Sequence, residues 1–304
     1  MEQFFQNLIN ALQWGSFYAV ISIGYSMVYG VLMLFNFAHG DIFMTGTYIG
    51  FGVATLLLTL CGAVLPGWAV FLLTVLITMF LSAWLGVLVE AVGYRPLRHA
   101  PRASAAITGL MIGIILETGN LILLGTRRLS FPALIETQTW NLGGVYLTNV
   151  KALIIGVSLI LMLGLHAFIQ KSRWGMAMRA MSSEFHAVPL MGISVNVLAP
   201  LTFAVGAGLA STAGILYGQA YPVLDPHMGV LLGWKAFVAA ILGGRGSIMG
   251  AALAGYLLGA IEIFTATIFP STLRDLIAYS IILVILTFRP RGLFGMAHST
   301  RLRL

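Results

Sequence analysis

Long stretches without a single charged side chain limit this fold more than any other feature. Ala152 to Leu165 and Ile277 to Phe288 are such runs, and comparable ones extend to roughly 20 residues, the length that crosses a bilayer. In hydrocarbon every backbone N–H and C=O must be paired internally, so only helices or closed barrels can span. Barrel strands alternate apolar and polar residues with period two, and these runs do not. The expected fold is therefore all-α, a polytopic transmembrane helical bundle. Composition agrees. Charged residues are 8% and apolar residues 59% of the 304, whereas a soluble domain carries roughly 25% charged residues. The 35 glycines suit close helix approach in lipid.

Nine apolar segments can be read: 8–34, 41–61, 66–89, 105–124, 150–169, 197–220, 229–242, 248–269 and 273–288. Segment 229–242 is short for a full span. It and 41–61 are candidates for re-entrant or broken helices, which gives eight to ten spans in a single transmembrane domain over 1–304. The N-terminus lacks a basic n-region, so no standard cleavable signal peptide is expected. With one cysteine, Cys61, no intrachain disulfide can form.

The net charge of +7 raises nucleic acid as a partner, but the basic residues cluster between spans, as positive-inside topology requires. Arg95, Arg98 and Arg102 lie in one connector. Lys171, Arg173 and Arg179 lie in another, and Arg289, Arg291, Arg301 and Arg303 lie in the tail. All three are expected in the cytoplasm, with even numbers of spans between them. The connector 125–149 then faces outside despite Arg127 and Arg128. No Lys or Arg precedes Arg95, so the side of the N-terminus depends on the span count.

Two segments are candidates for function. In 170–193 the residues Trp174, Ala177, Met181, Phe185 and Val188 recur at three- and four-residue steps. They form an apolar stripe on a short cytoplasmic helix. Such a helix either docks on a partner or lies as a plain interfacial connector. In 36–41, Asn36, His39, Gly40 and Asp41 interrupt two apolar segments. Ionisable groups at membrane depth usually face a cavity or a partner. The alternatives are a broken-helix gate or a polar turn with Asp41 as a helix N-cap. Glu117, Asn120 and Glu262 lie inside other spans. They either face the translocation path or tie helices together. Lys235 and Arg245 flank the short seventh segment and are expected near the interfaces by snorkelling. Glu90 beside Arg95 reads as a topological ion pair. His39-Gly40-Asp41-Ile42 and Arg245-Gly246-Ser247-Ile248 form a faint internal echo, of the kind that repeated transporter halves show.

The chain has no Gly-x-x-x-x-Gly-Lys-Ser/Thr, hence no phosphate loop of its own for ATP. It has no nucleophile elbow or paired-Cys metal site, and no connector long enough to fold alone. An enzyme is not expected, and neither is a resident cofactor or metal.

The sequence resembles the LivH-type permeases of branched-chain amino-acid ABC importers along nearly its whole length. The resemblance rests on Gly15-Ser-Phe-Tyr-Ala-Val-Ile-Ser-Ile-Gly24, Asn36-Phe-Ala-His-Gly-Asp41, Trp174-Gly-Met-Ala-Met-Arg-Ala180 with Gly192-Ile193, and Gly243-Gly-Arg-Gly-Ser-Ile-Met-Gly-Ala251. It implies a bacterial inner-membrane protein with a cytoplasmic C-terminus, and a pore shared with a second homologous permease. Two P-loop ATPases would bind the ATP, and a periplasmic binding protein would deliver leucine, isoleucine or valine. It also implies that 170–196 is the ATPase-coupling loop, carrying Arg173, Trp174, Arg179, Glu184 and Gly192. Many ABC permeases have Glu-Ala-Ala there, whereas Glu184 precedes Phe185 and His186. Sugar or urea/amide permeases share two of the blocks. An ion-coupled secondary transporter using Asp41, Glu117 and Glu262, or a scaffold subunit, is the rival from outside the family.

Overall fold

A computed structural model describes residues 1–98, 100–183, 192–244, 246–290 and 292–294, except the side chains of Arg102, Leu142 and Ser183. The described chain is helical almost throughout: α1 Glu2–Leu32, α2 His39–Cys61, α3 Gly67–Val89, α4 Arg102–Leu124, α5 Asn149–Lys171, α6 Arg173–Ser183, α7 Val195–Ala220, α8 Met228–Gly243, α9 Ile248–Ile268 and α10 Arg274–Phe288. Eight helices are long and apolar enough to cross a membrane, and α8 is shorter. A multi-pass membrane bundle is thus the architecture, as the apolar runs require.

The centre of the bundle is built on α1 and α7, the two most enclosed spans. Small residues set how closely their neighbours approach. A Cβ added to Gly255 of α9 would lie 2.5 Å from the Ala19 backbone nitrogen of α1. A Cβ added to Gly46 of α2 would lie 2.5 Å from Cβ of Ser211 in α7. With lipid as solvent, van der Waals packing of this kind replaces much of the hydrophobic drive between helices. By contrast α4 and α10 are largely exposed, so their outer faces belong to lipid or to other subunits.

The connector 125–149 is more ordered than its sequence suggests. β2 (Thr139–Leu142) and β3 (Val145–Thr148) form an antiparallel hairpin, while β1 (Leu129–Ser130) pairs with β4 (Val223–Leu224). Gln6 of α1 donates to the Tyr146 carbonyl and accepts from its N–H, at 3.1 and 2.8 Å. The start of α1 therefore lies on the hairpin face. On the opposite face Leu293 N–H reaches the Leu242 carbonyl at 2.7 Å. Counting α8, which begins part-way down the bundle, nine of the described helices run between these two faces, and the two described ends fall on opposite faces.

Candidate translocation site

The chain does not turn sharply between α1 and α2. α1 ends in a left-handed cap at Met33, with φ 55°. The next residues re-enter the bundle before α2 begins at His39, two residues earlier than the apolar pattern suggests. His39 packs against Gly24, well before the end of α1; a Cβ on Gly24 would strike its ring. Asp41 sits against Gly113, the midpoint of α4. The first turn of α2 is therefore level with the middle of a span.

Asn36 organises this descent. Its Oδ1 accepts from Ala38 N–H at 3.2 Å and from the Tyr94 hydroxyl at 3.1 Å, and its carbonyl accepts from His39 N–H at 3.1 Å. Asparagine suits a turn because its side chain can bond backbone two residues on. His39 is fully enclosed, its ring edge-on to Tyr25 at 4.6 Å, and its Nε2 has no hydrogen-bond partner among the described residues. Gly40 N–H donates to the Tyr25 hydroxyl at 3.2 Å. Gly40 also crosses α8: a Cβ there would lie 2.5 Å from the Gly229 carbonyl and 2.8 Å from Gly233 Cα.

Asp41 lies in the first turn of α2, where the positive helix end favours a carboxylate. It is inside the helix rather than its N-cap, which is Ala38. Asp41 is 8% exposed, and its Oδ1 has no hydrogen-bond partner among the described residues. Beside it a recess of about 230 Å³ opens between α4 and α8, lined by Tyr25, Phe37, Asp41, Glu117, Trp234 and Phe237 among others. Glu117 bonds the His227 ring at the start of α8, and Asn120 donates to Thr45 Oγ1 at 2.9 Å. The fold thus gathers Asn36, His39, Gly40, Asp41, Glu117 and Asn120 around one helix start.

Glu262 is elsewhere. Its Oε1 lies 2.9 Å from Lys235 Nζ, and its Oε2 accepts from the Tyr18 hydroxyl at 2.9 Å. Lys235 also reaches Asp275 Oδ1 at 2.8 Å. Both Lys235 and Glu262 are 2% exposed. The expectation of a snorkelling Lys235 is corrected: a buried carboxylate on α9 holds it inside. Arg245 lies outside the described residues. Glu90 pairs with both Arg95, at 3.0 Å, and Arg98, which extends the expected ion pair.

The loop helix α6 exists, and its packed side overlaps the expected stripe at Ala177 and Met181. Met178 and Met181 are buried, whereas Trp174 is 48% exposed. Gly175 packs beside these methionines, its backbone against Ile169 at the end of α5. Arg179 is not a fully exposed contact: its guanidinium donates to the Ile169 carbonyl. Arg173 is exposed, and Gly192 has φ 80°, in the left-handed region that favours glycine. Glu184 lies outside the described residues, as do Phe185 and Val188.

Sequence reasoning missed Tyr25, Tyr94, His227, Trp234 and Phe237. The signal for His227 was its place in Asp225-Pro226-His227, directly before the short seventh segment. The aromatic residues gave no signal among so many others.

Comparison with known proteins agrees with this architecture. The family described as "Branched-chain amino acid transport system / permease component" matches residues 7–286. The chain is 39% identical to the high-affinity branched-chain amino acid transport system permease protein BraD of Pseudomonas aeruginosa, over 96% of both chains. It is 34% identical to the corresponding permease protein LivH of Escherichia coli K12, again over 96% of both. A probable branched-chain amino acid transport permease protein LivH of Methanocaldococcus jannaschii is 26% identical over 84% of this chain and 79% of its own. The chain belongs to the family of permease components of branched-chain amino acid transport systems.

Proposed function

We propose that this chain forms one half of the pore of an ATP-driven importer for leucine, isoleucine and valine. The observation that carries the reading is the 39% identity to BraD over 96% of both chains. The sugar and urea/amide alternatives share short blocks, whereas the high-affinity relatives match end to end. A second homologous permease would complete the pore. Two P-loop ATPases would supply ATP hydrolysis, consistent with the missing phosphate loop. A periplasmic binding protein would deliver the substrate.

In this reading the α6 face is cytoplasmic, along with the C-terminus, and the hairpin face is periplasmic. The exposed Trp174 and Arg173 of α6 would meet an ATPase. Arg179 would hold α6 to the end of α5, so that motion of the docked helix reaches a span. The re-entrant start of α2, from Asn36 to Asp41, would act as the gate. Two glycines of α8 cross it at Gly40, and a small-residue contact can slide without unlocking large side chains. Glu262 would fasten α8 to α9 rather than line the path.

The test is a mild-detergent purification of the tagged chain from its native membrane, with partners identified by mass spectrometry. Two P-loop ATPases and a second hydrophobic permease are expected. Labelled leucine uptake by the reconstituted assembly should exceed that of ribose or urea. A chain that purifies alone and transports under an ion gradient would overturn the reading.

A further inference from the structure

We infer that the recess between α2, α4 and α8 is an ammonium subsite: Asp41 and Glu117 receive the protonated amine of a small solute, whose apolar part lies on Phe37, Trp234 and Phe237. This deepens the proposed function and rests on it for the identity of the solute.

Four observations carry the subsite. Asp41 is more than nine-tenths buried, yet Oδ1 has no hydrogen-bond partner among the described residues, and a buried carboxylate oxygen left unpaired is costly. The positive end of α2 favours the ionised form without itself filling the acceptor. Glycines let α4 and α8 close on the carboxylate. A Cβ on Gly113 would strike Oδ2, and one on Gly229 would lie 3.1 Å from Oδ1. Among the described residues the recess carries two carboxylates and no lysine or arginine. Lys235, the cation of α8, is held by Glu262 and Asp275 instead. Glu117 commits one oxygen to His227, and a carboxylate accepts at two.

The walls fit the remainder of such a solute. Aromatic faces attract ammonium groups and pack apolar ones. Phe37, Trp234 and Phe237 lie within 6.1 Å of one another by ring centroids. A recess of about 230 Å³ is smaller than the roughly 300–1,000 Å³ of drug-sized sites and suits a molecule the size of one amino acid. Glu117 and His227 would be expensive in contact with lipid, so the open side faces water or another subunit.

The test uses the assembled importer carrying Cys61→Ser with Met111→Cys as a reporter, and Leu110→Cys as a second reporter. Both positions line the recess and are substantially exposed. Leucine and 3-methylbutylamine should slow maleimide labelling of the reporter several-fold, and isohexanoate, leucine without its amine, should not. Asp41→Asn should abolish that protection. Glu117→Gln should weaken it and guards against misfolding of the first variant. Equal protection by isohexanoate, or protection retained in both variants, overturns the subsite. If the importer takes up no leucine but 3-methylbutylamine still protects in an Asp41-dependent way, the amino-acid reading fails and the subsite stands.

Discussion

Lys235 Nζ lies 2.9 Å from Glu262 Oε1 and 2.8 Å from Asp275 Oδ1, joining α8, α9 and α10 through one buried cation. The Tyr18 hydroxyl of α1 donates to the same glutamate at 2.9 Å. Removing one partner from such a pair leaves a buried charge and typically costs about 3–5 kcal/mol, whereas replacing both by apolar groups is often close to neutral. Glu262→Gln alone should therefore destabilise the bundle more than the double variant Lys235→Met/Glu262→Met. Thermal unfolding in detergent, followed by the loss of monodisperse protein, measures both. Equal losses would mean that Lys235 is held mainly by Asp275.

The crossing of α2 and α8 predicts a second, steric effect. A Cβ on Gly40 would lie 2.5 Å from the Gly229 carbonyl and 2.8 Å from Gly233 Cα, and backbone cannot move aside as a side chain can. Overpacking of this kind typically costs about 1–3 kcal/mol. Gly40→Ala should lower the unfolding temperature and slow uptake. Gly52→Ala, in the same helix with open space at its Cβ, should do neither.

The start of α2 was legible because ionisable residues between two apolar segments have few places to go in a membrane. The depth of that start was not. It depends on a left-handed cap at Met33 and on glycines of three other helices, none of which a local pattern reveals. The pairing of Glu262 with Lys235 was hidden for a related reason: helical rotation in the packed bundle, not sequence spacing, decides which face of α9 meets α8. In α6 the three- and four-residue steps fitted more than one face. Ala177 and Met181 pack as the steps require, whereas Trp174, on the same face, stands exposed in the first turn.

The exposure of Trp174 separates docking from support within α6. Trp174→Ala removes an exposed side chain and should weaken ATPase association, measured by co-purification, with little change in thermal stability. Arg179→Ala removes the bond to the Ile169 carbonyl. It should loosen the corner between α5 and α6, seen as faster amide exchange there, as well as reduce uptake. If Trp174→Ala leaves both association and ATP-dependent uptake unchanged, the coupling role of this face is wrong.

The run of α5 between the two faces makes a topological prediction. Trp140 sits exposed on the hairpin beside the start of α1, and Lys171 ends α5 on the opposite face. Cys61 can be replaced by serine to give a background free of thiols. In spheroplasts, Trp140→Cys should then react with a membrane-impermeant maleimide, and Lys171→Cys should react only after permeabilisation. The reverse pattern would invert the bundle and place α6 out of reach of any cytoplasmic ATPase. Reaction of both in intact spheroplasts would mean that an odd number of passes does not separate them. A half-pass such as that of α8 lies between no two of these positions, so the experiment tests the crossing of α5 itself, the span on which the assignment of α6 to the cytoplasm depends.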